Sequence, residues 1–125
     1  MTPKRSAALV VENQPFVGLV ASDILEEIGL DTFHAFAADE AISLLRSHPE
    51  IELLVTAADL SGPVDGLELT RRVSAERPDV RMVVTADAAS MVGADVPNGT
   101  RWLQKPYASA DLRALAGGKP QLLDA

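Results

Sequence analysis

Four consecutive residues near the middle of the chain lie where chemistry is expected. They follow the apolar run 53–55, which predicts a strand buried on both faces, because polar alternation disappears inside a parallel sheet. In open α/β sheets, ligands and reacting groups gather at the carboxyl ends of strands. The residues at that end are Thr56, Ala57, Ala58 and Asp59. Asp59 supplies the only carboxylate among them, and we expect the strand itself to end at Thr56.

The elements that must position these residues alternate between strands and helices. Apolar runs predict further strands at residues 7–11, 32–36, 82–85 and 101–104. Apolar residues three and four apart predict helices that begin at Pro15, near Asp39, near Leu67 and at Ser109. Residues 88–99 should hold one more helix, but they contain few large apolar residues and several glycine and proline breaks. This fourth helix is therefore predicted to be short or irregular.

This alternation predicts an α/β fold with one doubly wound sheet of five parallel strands, covered by helices on both faces. The 125 residues fit a single domain, which we place at 1–125 with a core of about 7–116 and a tail, 117–125. Within the tail, Leu122-Leu123 is the only apolar pair.

Composition narrows the function classes. Eighteen acidic residues against eleven Lys and Arg give a net charge of -7, which disfavours nucleic acid and anionic membrane as partners because phosphate binding needs clustered cations. The chain has no cysteine, which excludes disulfides and Cys-based zinc sites. Lys4-Arg5 precedes an apolar run too short for a signal peptide, and we predict a cytoplasmic protein.

The stretch 51–69, IELLVTAADLSGPVDGLEL, closely resembles the third strand and following loop of bacterial response-regulator receiver domains. The resemblance extends over residues 7–115 and implies the flavodoxin-like strand order 2-1-3-4-5. In that family the third strand delivers an aspartate that accepts a phosphoryl group from a histidine kinase. The resemblance puts Ala57 at this position, because using Asp59 would shorten the loop to Asp65 and break the strand register.

Three further pieces resemble the family. Glu12 and Asn13 match an acidic pair that binds magnesium, with half of the charge remaining. Thr85 matches a hydroxyl residue that hydrogen-bonds the new phosphoryl group. Lys105, followed by proline, matches a lysine aimed at the acidic pocket.

Other aromatic and imidazole side chains carry weaker signals. Trp102 matches an aromatic residue whose rotamer reports activation in many receivers, and an aromatic residue packed over the sheet edge explains it equally well. His34 and His48 match nothing functional, and both are predicted to lie on the surface.

These substitutions have chemical consequences. Phosphoryl transfer to a side chain needs a nucleophilic oxygen, which Ala57 lacks, and usually a divalent cation. Magnesium relies on carboxylates, and Glu12 facing Lys105 leaves a formal charge near zero. We therefore expect no cofactor other than a weak or lost Mg²⁺ site at Glu12, Asn13 and Asp59.

The sequence therefore predicts a receiver-like signalling module that is not an enzyme, not phosphorylated at the usual position, and active through protein binding. Its expected partner is a histidine kinase or another regulator. The family also implies homodimerisation through the fourth helix, fifth strand and fifth helix, a face expected to carry Trp102 and Tyr107.

Two alternatives remain open. One is a working regulator phosphorylated at Asp59. The other is a flavodoxin-like cofactor-binding protein or enzyme, although the loop 12–15 has no glycine or hydroxyl group to cradle a phosphate.

Overall fold

The computed structural model describes residues 5–117, along which strands and helices alternate. The strands are β1 (Ala7–Val11), β2 (Asp31–Ala35), β3 (Ile51–Ala57), β4 (Arg81–Ala86) and β5 (Arg101–Gln104). The helices are α1 (Pro15–Glu27), α2 (Ala38–Ser47), α3 (Gly66–Glu76), α4 (Ala88–Met91) and α5 (Ser109–Gly117). All neighbouring strands pair in parallel, in the order β2-β1-β3-β4-β5. The predicted α/β class and strand order are confirmed.

Apolar layers cover both faces of the sheet, because successive side chains of a strand point to opposite sides. Leu9 and Leu54 join the layer beneath α2 and α3. Val10 and Leu53 join the layer beneath α1 and α5. Among residues 5–117, no helix combines the length and the apolar content that crossing a bilayer requires.

The boundaries of three strands differ from the expected ones, and β4 extends one residue beyond each end of 82–85. β3 continues one residue beyond Thr56, and Ala57 pairs with Thr85 of β4. β2 begins and ends one residue earlier than 32–36, because the amide of Phe36 donates to the Glu40 carboxylate at 2.9 Å and belongs to the turn before α2.

The fourth helix is short, as predicted. α4 has four residues, none of them buried, and irregular backbone leads from Val92 to β5. Lys4 and the Leu122-Leu123 pair lie outside the described residues, as does most of the predicted tail, so the domain limits 1–125 stay a prediction.

Candidate functional site

Four of the predicted site residues meet at one edge of the sheet. Glu12 follows β1, Ala57 ends β3, Thr85 lies near the end of β4, and Lys105 follows β5. The four strands are adjacent and parallel, so their carboxyl ends share this edge. The topology alone therefore brings together residues that are far apart in sequence.

An ion pair joins two of these residues. The Glu12 side chain is only 5% exposed, and its Oε1 accepts a hydrogen bond from Lys105 Nζ at 3.1 Å. Its Oε2 accepts a second hydrogen bond from the amide of Gln14 at 3.2 Å. A buried carboxylate is costly unless it is paired and hydrogen-bonded, and here both oxygens have donors.

The lysine reaches the pair from a well-fixed loop. The Lys105 amide donates to the carbonyl of Ala86 at 2.8 Å, which ties the end of β5 to the end of β4. The peptide bond between Lys105 and Pro106 is cis. The hydrogen bond to Ala86 places Lys105 at the end of β5, from which its ammonium group reaches the carboxylate that follows β1.

A histidine fixes the backbone on the other side of Glu12. His34 Nε2 donates to the carbonyl oxygen of Glu12 at 3.0 Å, and the His34 ring stacks on Phe36 with 4.4 Å between centroids. The ring also lies against Gly18 of α1, where any Cβ would overlap it. The absence of a side chain at Gly18 therefore lets α1 approach β2 closely beside the site.

The two histidines, which were predicted to lie on the surface, are only partly exposed. His34 and His48 are both half-buried, and His48 stacks on Phe33 with 4.3 Å between centroids. One sequence signal could have indicated the His34 contact. Glycine within a helix is unfavourable and often marks a close approach, and Gly18 sits inside the periodic pattern of α1.

Ala57 faces a very small cavity. The cavity measures about 10 Å³, and Glu12, Thr85 and Tyr107 contribute to its lining. This is about the volume that holds one water molecule. A methyl group, which offers no nucleophilic oxygen, therefore stands at the carboxyl end of the central strand.

The start of α3 presses directly against the end of β3. A Cβ at Gly66 would overlap the carbonyl oxygen of Ala57, and the Gly66 amide donates to the carbonyl of Ala58 at 2.9 Å. Glycine is therefore required where the helix meets the strand.

The remaining predicted cation ligands are not gathered around Glu12. The Asn13 side-chain amide donates to Ser61 Oγ at 3.1 Å, while the Asp59 side chain is exposed beyond the strand end. Among residues 5–117, no three His, Cys, Asp or Glu side chains form a group that could hold a metal ion. A cation at Glu12 would have to compete with both of its hydrogen-bond donors, and the weak or lost Mg²⁺ site stays a prediction.

The predicted switch residues occupy different surroundings. Thr85 is buried, and its carbonyl oxygen accepts from the Ala58 amide at 2.8 Å. Trp102 is half-buried and, like Met91 of α4, packs against the buried cluster of Val84 and Ala86. Tyr107 packs into the layer of α1 and α5. Burial and the negative charge of Glu12 raise the pKa of Tyr107.

Trp102 packs on the α4 side of β5 and Tyr107 on the α5 side, and the expectation that both belong to an interface of α4, β5 and α5 stays a prediction. Trp102 and Tyr107 belong to apolar clusters on opposite faces of the sheet. Tyr107 also lines the small cavity, a position that was not anticipated because it follows β5 in a loop, where strand alternation no longer indicates sidedness.

Comparison with known sequences gives a partial match. No family model matches the chain. A curated relative, the peroxide stress-activated histidine kinase mak3 of Schizosaccharomyces pombe, is 36% identical over 69 residues. The match takes 54% of this chain and spans only 3% of that kinase.

Comparison with solved structures gives matches over nearly the whole chain. A response regulator receiver protein from Sinorhizobium medicae WSM419 is 24% identical, with 98% of this chain and 97% of that chain covered and a TM-score of 0.81. A response regulator receiver protein from Pseudomonas putida is 25% identical, with coverages of 94% and 100% and a TM-score of 0.78. The receiver domain of NtrX from Brucella abortus is 24% identical, with coverages of 88% and 94% and a TM-score of 0.79. The chain therefore has the fold of response-regulator receiver domains, as the resemblance of residues 51–69 implied.

Proposed function

We propose that this chain is a receiver-like module of two-component signalling that is not phosphorylated at the usual position and acts by binding other proteins. The observation that carries the proposal is the methyl group of Ala57 at the end of the central strand of a receiver fold, beside the ion pair of Glu12 and Lys105. The fold and the partial similarity to a histidine kinase support a place in such a pathway.

The ion pair supports a site that works without a phosphoryl group. In-line transfer needs an oxygen nucleophile and groups that stabilise the charge of the transferred phosphoryl. Ala57 has no oxygen, and the positive charge of Lys105 is already matched by Glu12 at 3.1 Å. Glu12 and Lys105 are thus paired without a phosphoryl group, and we propose that binding by the module does not depend on phosphorylation.

The partner is proposed to be a histidine kinase or another regulator, and the module itself is proposed to have no catalytic activity. Asp59 offers the competing possibility of a phosphorylated regulator. Its side chain is exposed two residues beyond Ala57, and the cavity lining includes Ala57 but not Asp59. These positions favour the unphosphorylated module.

Treatment with small phosphodonors tests the proposal. Acetyl phosphate and beryllofluoride, each with Mg²⁺, should leave the intact mass and the Trp102 fluorescence unchanged. Asp59→Asn serves as the matched control and should behave like the unaltered chain. Stoichiometric phosphorylation that disappears in Asp59→Asn would overturn the proposal in favour of a working regulator. An absorbance spectrum of the purified protein tests the third possibility, since a coloured cofactor would indicate a flavodoxin-like role.

Magnesium binding gives a second test. We expect affinity of about millimolar or weaker, because a cation would compete with Lys105 and the Gln14 amide for a single carboxylate. Ala57→Asp combined with Asn13→Asp adds two carboxylates and should tighten binding, measured by calorimetry. Equal binding by this double variant would show that Ala57 and Asn13 do not occupy the positions proposed for them.

A further inference from the structure

Exposed apolar side chains are concentrated on one side of the molecule. Among residues 5–117, five large apolar side chains are exposed, and four of them lie on α1 or in the turn after β2. They are Phe16, Leu19, Val20 and Phe36, and we call the surface that they form the α1 surface. Phe16 is the most exposed of the four, at 75%. Clustered exposed apolar residues mark interaction sites, whereas single ones need no explanation.

The α1 surface is continuous along the helix. Phe16 and Val20 lie one helical turn apart, and with Pro106 and Tyr107 they line a groove of about 480 Å³. On the other flank, the His34 ring touches Gly18 and stacks on Phe36. The helix therefore presents apolar groups outwards although it also buries Ile24 and Leu25. A helix that is apolar on both sides is typically covered on both sides.

We propose that the α1 surface is a self-association interface, in which α1 of one copy packs antiparallel on α1 of a second copy. A two-fold axis near Leu19 and Val20 makes the contact self-complementary, which is the geometry of most homodimers. Each exposed apolar group then faces its counterpart and leaves water. This proposal does not depend on the absence of phosphorylation, so the two can fail separately.

The charges along α1 fit this antiparallel arrangement. Lys105 lines the groove beside Phe16, at one end of the α1 surface, and the exposed Asp23 lies at the other end. The two-fold axis sets Asp23 of one copy near residue 16 of the other, and so near that copy's Lys105. A lysine has three donors, and Glu12 occupies only one of them here.

The two remaining acids of α1 are hydrogen-bonded within their own chain. Glu26 accepts a hydrogen bond from Thr32 at 2.8 Å, and Glu27 pairs with Arg113 at 2.6 Å. The charge of Glu27 is thus compensated within its own chain, whereas Glu26 is held by a neutral hydroxyl and keeps its charge. The compensation of Glu27 matters because a net charge of -7 repels a second copy at most other surfaces.

The test compares three exposed apolar positions, two on the α1 surface and one outside it, by sedimentation velocity over micromolar to millimolar concentration. The unaltered chain should show a concentration-dependent dimer, and Phe16→Ser or Leu19→Ser should raise the dimer dissociation constant about tenfold or more. Val92→Ser is the matched control, since Val92 is 82% exposed but lies after α4. It should leave the dissociation constant unchanged.

A cross-linking experiment tests the geometry. The chain has no cysteine, so Leu19→Cys introduces a single thiol. Near a two-fold axis, the two thiols can reach the short separation that a disulfide needs, and oxidation should give a covalent dimer. Val92→Cys should remain largely monomeric. A monomeric unaltered chain at every concentration, or dimerisation that responds to Val92 and not to Phe16, would overturn the proposal.

Discussion

Helices α1 and α4 lie on opposite faces of the sheet and differ in how much apolar surface they bury and expose. α1 has thirteen residues, buries Ile24 and Leu25, and still exposes Phe16 and Leu19. α4 has four residues and buries none of them. Helix α1 has more apolar surface than the core beneath it can cover, whereas α4 has too little apolar surface to stabilise a longer helix. The exposed apolar surface of α1 favours binding of a partner, and the sparse packing of α4 favours local unfolding of that segment.

Polar contacts replace packing on the α4 side. The Asp87 carboxylate accepts a hydrogen bond from the Ser90 amide at 2.9 Å and caps α4. Arg71 of α3 binds Glu68 and also donates to the carbonyl oxygen of Asp95 in the segment 92–100. A segment held by a few solvent-accessible hydrogen bonds opens at lower free energy than a packed helix.

The largest contrast should come from truncating one apolar side chain on each helix. Leu25→Ala removes a fully buried side chain of α1 and should lower the free energy of unfolding by about 2 to 5 kcal/mol. Met91→Ala is the counterpart on α4, where the side chain is only half-buried, and should cost much less. Urea denaturation measures both. Similar costs at the two positions would remove the distinction between the helices.

Substitutions at two glycines test the same difference between the α1 side and the α4 side. Gly18→Ala pushes a methyl group into the His34 ring and should cost about 1 to 3 kcal/mol through overpacking. Gly93→Ala meets open space, but its φ of +69° disfavours a side chain by about 1 to 2 kcal/mol.

A second substitution separates overpacking against His34 from the strain of a positive φ as the cause of destabilisation. His34→Ala should relieve most of the cost of Gly18→Ala and none of the cost of Gly93→Ala, as a double-mutant cycle measures. The opposite pattern would show that the His34 contact does not constrain α1.

The arginine tether of the α4 side should have a smaller, local effect. Arg71→Gln should raise amide hydrogen exchange across 92–100 by about fivefold, because one charge-assisted hydrogen bond is lost. Arg72→Gln is a close control, since Arg72 also pairs with Glu68 but makes no contact with Asp95 in the structure. Equal exchange in the two variants would count against the tether.

Mild acid should give the smallest effect. The Ser90 amide hydrogen bond lowers the pKa of Asp87 in the folded chain, so the cap contributes stability above the ordinary carboxyl pKa of about 4. That contribution is lost as pH falls through the lowered value. In an NMR titration, the chemical shift of the Ser90 amide should change as pH passes through the lowered pKa of Asp87. α1 has no side-chain cap at Gln14, so its first amides should not move with it.

These contrasts also explain how far the sequence could predict the molecule. The alternating apolar runs were sufficient for the α/β class with a parallel sheet, and the poor apolar content of 88–99 was sufficient for a short α4. The strand order came from the resemblance to receiver domains. The apolar runs could not indicate the sidedness of Tyr107, which follows β5 in a loop. Nor could they place His34, whose burial depends on a helix and a turn that are distant in sequence.

The end of β3 shows a similar limit. Alanine is compatible with both a strand and a loop, so the pairing of Ala57 with Thr85 required knowledge of the neighbouring strand. The resemblance of individual loops did place Glu12, Ala57, Thr85 and Lys105 at one edge of the sheet, because parallel topology converts sequence order into proximity.

The cavity beside Ala57 bears on the evolutionary reversibility of the site. Under the proposed function, a lineage regaining an aspartate at position 57 by one substitution would place a carboxyl group in the cavity that Glu12 and Thr85 line. It would also give Lys105 a second anion to bind, in competition with Glu12. Under the proposed function, restoring the acidic set therefore requires changes at both Ala57 and Asn13, whereas remaining unphosphorylated requires none.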